Sequence, residues 1–290
     1  MQHREYQICN NCVMDTSDSL IVFDGNGQCD HCNNFYANIL PDWHPDSDSE
    51  KKIMDLAEKI KRYGKNKSHD CIIGVSGGID SSYLVEIAVE KMGLKPLLYH
   101  VDGGWNSQQS VSNIESMVDY YNLDLHTDVI NWKEMQDLQL SFFKSQVPTI
   151  DTPQDHAFFS SLYNFTTKKK FKYVLTGANN STECIREPLE WTYHTSDLRQ
   201  LLDIHKKFGK RPLKTFPTAD ILKFKIYHRY VKGLKVVKPL NYFPYEMKAA
   251  VKTLSEKYGW MPYEHKHYES RFTKFYQSYW LPIKFGFDRR

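Results

Sequence analysis

No run of about 18 consecutive apolar residues occurs in this chain of 290 residues, so no segment reads as a membrane-crossing helix. The opening Met1-Gln2-His3-Arg4-Glu5-Tyr6 lacks the apolar stretch of a secretory signal. Together these absences set the expectation of a cytoplasmic protein with no membrane partner. Cysteine is also sparse. There are six, at 9, 12, 29, 32, 71 and 184, and four of them stand in two close pairs. In a cytosolic chain that pattern suggests metal rather than a disulfide framework. No internal repeat is visible.

Charge of one sign is scarce at each end of the scale. Residues 1–50 hold one basic residue, Arg4, against nine acids, while the whole chain carries +3. From Lys206 to Lys238 there are eleven Lys or Arg and a single acid, Asp220. Such a run suits nucleic acid, an anionic small molecule or an acidic partner, or is simply a solvated helix face. What is abundant is core material. The hydrophobic fraction is 41%, enough for one large α/β domain plus a small appendage.

The pattern alternates between strand and helix. A helix is expected near 50–63, with Ile53, Leu56, Ala57 and Ile60 on one stripe. Asp70 to Val75 reads as a buried parallel strand, followed by a helix over 81–92. Strands are expected at 95–101, 123–130 and 173–176, with helices at 108–121, 131–144 and 155–169. Residues 145–155 read as a Pro- and Asp-rich loop. This alternation predicts a doubly wound parallel α/β sheet with ligands along the C-terminal edge of its strands. The expected division is a ribbon over 1–45, a nucleotide-binding domain over 50–195, and a mostly helical, basic and aromatic part over 196–290.

Between the first strand and its helix lies Ser76-Gly77-Gly78-Ile79-Asp80-Ser81-Ser82. Glycines let backbone approach an anion, and a helix start offers free N–H groups and partial positive charge. The order strand, Ser-Gly-Gly, Asp-Ser, helix therefore points to a phosphate cradle rather than an ordinary turn. It is not a Walker A loop, because no Gly-Lys-Ser/Thr follows.

Cys9-x-x-Cys12 and Cys29-x-x-Cys32 are separated by sixteen residues, the spacing of a four-thiolate zinc ribbon. Four sulfurs close a tetrahedral site, so the metal is expected to be structural, with an iron–sulfur cluster as the alternative. His31 reads as a bystander. Cys71, inside the first strand, reads as a small core residue.

The loop resembles that of the PP-loop ATP pyrophosphatase superfamily, the adenine nucleotide alpha-hydrolase-like fold, whose pattern is Ser-Gly-Gly-x-Asp-Ser. The resemblance implies cleavage of ATP between its α- and β-phosphates and transfer of AMP to a carbonyl or amide oxygen. It implies ATP binding at Ser76, Gly77, Gly78, Asp80, Ser81 and Ser82, at Asp102, and at Gly177 and Asn179 after the later strand. Asp80 and Glu183 are candidate ligands for Mg²⁺, which shares oxygen ligands with substrate.

Three further segments resemble the bacterial N-acetyl sugar amidotransferases. They are Tyr6-Gln7-Ile8-Cys9-Asn10-Asn11-Cys12-Val13-Met14-Asp15-Thr16, the stretch Pro148 to Phe158 (PTIDTPQDHAF), and His267 to Gln277 (HYESRFTKFYQ). Members of that family commonly run on into a further helical segment. The resemblance implies an enzyme of surface-polysaccharide biosynthesis, of the O-antigen kind. It would convert the acetamido group of a nucleotide-activated or nonulosonic N-acetyl sugar to an acetamidino group, with ammonia from a separate glutaminase subunit. Candidate catalytic groups are then Asp80, Glu183, His156, Glu269, Arg271 and Lys274. Arg271 and Lys274 would neutralise phosphate or a sugar carboxylate, and Glu269 or His267 would orient substrate or accept a proton. The aromatics from Phe272 to Trp280 read as core or as a subunit interface, so a homo-oligomer is open. Two other readings remain: a tRNA-modifying PP-loop enzyme, of thiolation or lysidine type, with Cys184 as a possible thiol, and a non-catalytic nucleotide sensor. The sugar reading makes nucleic acid an unexpected partner.

Overall fold

The computed structural model describes residues 4–43, 45–184, 188, 191–264 and 268–287. Its strands are Cys71–Gly74 (β1), Pro96–Asp102 (β2), Leu125–Val129 (β3), Tyr173–Leu175 (β4) and Lys235–Val237 (β5). They form one sheet in the order β3-β2-β1-β4-β5. Every pairing is parallel, with Ile72 opposite both Leu97 and Val174.

The first helices are Asp30–Asn34 (α1), Ser47–Gly64 (α2) and Ile79–Glu86 (α3), the last continuing through a π-turn over Ile87–Lys91. Next come Gln108–Tyr121 (α4), Trp132–Ser145 (α5), Thr152–Lys168 (α6), Asn180–Glu183 (α7) and Leu198–Phe208 (α8). The chain closes with Met247–Tyr258 (α9), Arg271–Phe275 (α10) and Leu281–Phe285 (α11).

Alternation along the strands creates two cores. Cys71, Ile73 and Leu98 face one layer, built from Ile53, Ala57 and Ile60 of α2, Leu84 and Val85 of α3, and Leu254 of α9. Ile72, Tyr99 and Val101 face the other, built from Met135, Leu138 and Phe142 of α5, Ala157 of α6 and Leu201 of α8. The sheet is therefore doubly wound, as the alternating pattern predicts. The expected stripe on α2 is there, with Leu56 only partly buried against the same core.

Two expectations need correction. The helix expected from 155 begins at Thr152, because Pro153 lies in its first turn, where proline's missing N–H costs nothing. Residues 152–155 are thus helical, not part of the loop expected over 145–155. The C-terminal part also contributes β5, so the sheet extends past the boundary expected near 195. Lys235-Val236-Val237 is too short and too embedded in basic residues to read as a strand. It is fixed by pairing with β4. The basic run is accordingly not one helix face. It spans the end of α8, a connecting loop, a π-helical stretch over Lys223–Val231 and an edge strand.

Candidate active site

β1 delivers the chain into Val75-Ser76-Gly77-Gly78, at the point where strand order reverses between β1 and β4. In open α/β sheets that is where ligands bind. Gly77 has φ +78° and lies against α4: a Cβ there would stand 2.3 Å from the Ser110 carbonyl oxygen. Gly78 is the N-cap of α3. Ser81 Oγ donates to the Gly78 carbonyl at 3.0 Å and accepts from the Ser76 N–H at 3.3 Å. Ser76 Oγ in turn accepts from the Gly78 N–H at 3.3 Å, so two serine hydroxyls hold the loop in shape. On the outside of the loop, Tyr263 Oη and Asn113 Nδ2 donate to the Gly77 carbonyl at 3.1 and 3.3 Å.

Gly177, just after β4, meets the start of α3. A Cβ there would lie 2.8 Å from the Asp80 carbonyl carbon, so glycine permits the contact. Asn179 caps α7, accepting from the Thr182 N–H at 2.8 Å, and its Nδ2 donates to Asp80 Oδ1 at 3.2 Å. The Tyr245 hydroxyl donates to the same carboxylate oxygen. Burial, and then the Asp80 carboxylate, push the Tyr245 phenol well above its usual range, with Tyr83 and Glu183 adding to this. The tyrosine therefore stays protonated and keeps donating. Glu183, exposed at the end of α7, belongs to the same corner as Asp80.

At the end of β2, Asp102 accepts from the Gly104 N–H at 2.8 Å and from Asn106 Nδ2 at 3.1 Å. Asn106 Nδ2 also meets His100 Nε2 at 2.9 Å, and His100 Nδ1 meets the Val75 carbonyl at 2.9 Å. A carbonyl oxygen can only accept, so Nδ1 is the donor in the Val75 contact. These links brace the phosphate loop against the turn after β2.

The far end of the chain returns here. Residues 105–107 pair with 269–271: the Ser107 N–H donates to the Glu269 carbonyl at 3.0 Å, and the Arg271 N–H to the Trp105 carbonyl at 2.9 Å. Glu269 is thereby set against the loop, so that a Cβ on Gly78 would stand 3.3 Å from its Oε1. Ser270 caps α10, and Gln154 Nε2 of α6 reaches Ser270 Oγ and Thr273 Oγ1, both at 3.4 Å. The segments 148–158 and 268–277 are thus in direct contact at the sheet's C-terminal edge.

Several expected site residues have other work. His156 is 1% exposed. Its Nδ1 meets the Thr195 carbonyl at 2.7 Å and its Nε2 accepts from the Ala219 N–H at 3.3 Å. Both ring nitrogens are engaged, and burial holds its pKa below the usual value despite the Thr195 bond. His156 fastens the C-terminal part to α6 and is not placed for proton transfer to substrate. The Ser82 side chain is buried and its Oγ accepts from Trp260 Nε1 at 3.1 Å, so it packs rather than faces phosphate. Arg271 lines an open groove, while Lys274 lies over the Tyr268 ring, 4.4 Å from its centre. His267 lies outside the described residues. Cys184 ends α7, and Cys71 is buried in β1. Tyr245, Asn106, His100 and Tyr263 carry no local signal; only the fold brings them to the loop.

The four paired cysteines converge. Their sulfurs all lie within 4.8 Å of one another, with Cys9–Cys32 at 3.9 Å and Cys12–Cys29 at 3.7 Å. A single tetrahedral ion bonded at about 2.3 Å spaces its thiolates about 3.8 Å apart, which these distances fit. A cubane cluster would spread them further. Backbone N–H groups of Asn11 and Cys29 donate to Cys9 Sγ at 3.4 and 3.2 Å, as thiolates require. His31 pairs with Asp18 at 2.9 Å and is not a ligand. Among the described residues the core around the sulfurs is Ile21, Met14 and Phe23.

No protein-family profile matches the chain. An uncharacterised protein of Methanocaldococcus jannaschii is 24% identical over 174 residues, covering 58% of this chain and 58% of that relative. The chain thus spans less than two thirds of the length of this relative. Among solved structures it is similar to NMN synthetase from Francisella tularensis, at 14% identity over 75% of this chain and 94% of that one, TM-score 0.37. A U34-tRNA thiolase from Methanococcus maripaludis, with its 4Fe-4S cluster, is 14% identical over 90% of this chain and 75% of that one, TM-score 0.39. The NH3-dependent NAD synthetase from Campylobacter jejuni is 17% identical over 71% and 83%, TM-score 0.34. At these scores the likenesses carry no weight for function.

Proposed function

We propose that the chain is an ATP-dependent, AMP-forming amidotransferase that converts the acetamido group of an activated N-acetyl sugar to an acetamidino group. The observation that carries this reading is the convergence described above. Two distant segments resembling the N-acetyl sugar amidotransferases touch each other through Gln154, Ser270 and Thr273, and set Glu269 against Gly78 of the phosphate loop.

In this reading the loop from Ser76 to Ser81 and the start of α3 hold the phosphates of ATP. The sugar amide oxygen attacks the α-phosphorus, the bond to the β-phosphate oxygen breaks, and pyrophosphate leaves. Ammonia then adds to the activated carbon, AMP departs with the former amide oxygen, and the amidine remains. An amide oxygen is a weak nucleophile, so rate comes from positioning and from neutralising charge on the phosphates. Glu269 accepts a proton from the attacking ammonia. The charge on the phosphates also calls for a cation. Two carboxylates with substrate phosphates make a donor set of the kind magnesium takes, and Asp80 and Glu183 at one corner of the loop fit it. Mg²⁺ would neutralise phosphate charge, while Tyr245 and Asn179 hold Asp80 in place. Zinc on Cys9, Cys12, Cys29 and Cys32 would be structural, since four thiolates leave no open position. The ammonia source is a separate glutaminase.

The test is incubation with ATP, Mg²⁺, ammonium and candidate N-acetyl sugar nucleotides, read by mass spectrometry. The expected result is an amidine product with stoichiometric AMP and pyrophosphate. AMP release on tRNA with no sugar modified would refute it.

A further inference from the structure

A groove of about 520 Å³ runs between α5 and α10, lined by Trp105, Trp132, Arg211, Arg271 and Gln139 among others. It begins where residues 105–107 pair with 269–271, so it is continuous with the strand pairing that places Glu269. We propose that this groove holds the nucleoside diphosphate of a nucleotide-linked N-acetyl sugar; this rests on the functional reading above and names the substrate class of that site.

Four features point the same way. Trp105 and Trp132 meet edge to face, with ring centres 5.1 Å apart, and Trp132 is 40% exposed. An exposed indole at a groove's mouth offers a flat surface for a base or sugar ring. Arg211 and Arg271 both line the groove, and paired guanidinium groups are suited to diphosphate. Arg211 is set deliberately: its own N–H, with that of Lys210, donates to the Asp137 carboxylate at 3.0 and 2.9 Å. Three more N–H groups of the same loop, from Lys214, Thr215 and Phe216, converge on the Glu134 carboxylate at 2.8–3.1 Å. Two acids of α5 thus hold the basic loop 210–216 at the rim. The carboxylate of Asp137, which also lines the groove, is engaged by those N–H groups and by His205, and among the described residues neither guanidinium forms an ion pair.

The last feature is a polar group without a partner. Gln139 is 3% exposed, and its Oε1 accepts from Trp105 Nε1 at 2.9 Å. Its Nε2 is buried and has no hydrogen-bond partner among the described residues. A buried amide donor is costly to leave unmet, and a phosphate or base oxygen in the groove would meet it. The base of ATP alone does not account for this lining. Adenine is uncharged, whereas two guanidinium groups call for phosphate, and the phosphates of ATP are already assigned to the loop.

Calorimetric titration of the full chain tests this, with UDP-N-acetylglucosamine, UDP and N-acetylneuraminic acid as probes and ATP as the control ligand. The expected result is binding of the first two. Affinity should fall tenfold or more in Arg211→Ala and in Trp132→Ala, and recover partly in Arg211→Lys, with ATP affinity and thermal midpoint unchanged. Preference for N-acetylneuraminic acid over UDP would overturn the diphosphate assignment in favour of a sugar carboxylate. Loss of ATP affinity in Trp132→Ala would assign the groove to adenine and overturn it too, as would wild-type affinity of Arg211→Ala for UDP. Groove-dependent binding without amidine formation from any sugar would sink the amidotransferase reading alone. Amidine formation indifferent to Arg211 would sink the groove alone.

Discussion

Asp80 accepts two hydrogen bonds on one oxygen, from Tyr245 and Asn179. Asparagine can accept the same bonds without the negative charge. Asp80→Asn should therefore keep its melting temperature and lose pyrophosphate release by about 100-fold or more, the scale of removing a key electrostatic group. A variant that unfolds instead would make Asp80 a helix-start residue only. Glu269→Gln separates roles differently. Taking a negative charge away from Gly78 should leave ATP binding intact or tighter, while ammonia-dependent amidine formation falls about 100-fold. Equal losses in both would mean that Glu269 holds the nucleotide rather than serving the second step. His156 bears on stability instead. Its folded pKa is held below the unfolded value of about 6.5. Below pH 6.5 the unfolded chain takes up a proton that the folded chain refuses, so this contribution to stability is lost as pH falls. Melting followed from pH 7.5 to 5 should show that slope in the wild type and a shallower one in His156→Gln. Unchanged acid sensitivity together with a lost chemical step would restore His156 to the site. The sequence motif exposed the residue but not its duty, because Thr195 and Ala219, which engage both its nitrogens, lie 39 and 63 positions away.

Elements with strong local pattern were legible from sequence. The span of α4 is the one its periodicity predicts, since Ser107 caps its start and Asn122, at φ 50°, ends it. β1, β2 and β4 follow from short apolar runs. β5 was not legible, because its three residues are held by pairing with β4 rather than by their own composition. The ribbon was legible as a metal site, since the pair spacing is itself the signal. Its small core means that a metal held by the four cysteines would supply much of its stability. Dialysis of the full chain against a strong chelator with a thiol reductant should release close to one zinc per chain. It should also open residues 4–40 to protease while the sheet stays folded. A ribbon that resists chelator would contradict a structural metal, and iron in the native protein would contradict zinc.

At the scale of the molecule, what the sequence concealed was adjacency. Ser76 to Ser82 could be read as a phosphate loop from order alone. That Tyr245 would hold Asp80, or that residues 269–271 would pair with 105–107, leaves no trace in any window of residues. Those contacts arise because the chain meets the loop twice more, with Tyr245 between β5 and α9 and with residues 269–271 after α9. The return after α9 unites the two segments that resemble the N-acetyl sugar amidotransferases, and the proposed activation of a sugar amide oxygen rests on that union. That oxygen can be followed directly. A nucleotide-linked sugar whose acetamido oxygen is isotopically heavy, incubated with ATP, Mg²⁺ and ammonium, should yield AMP carrying the heavy oxygen on its phosphate and pyrophosphate carrying none. Heavy oxygen retained in the sugar while ATP is cleaved, or release of ADP and phosphate, would contradict adenylation of the amide at this loop.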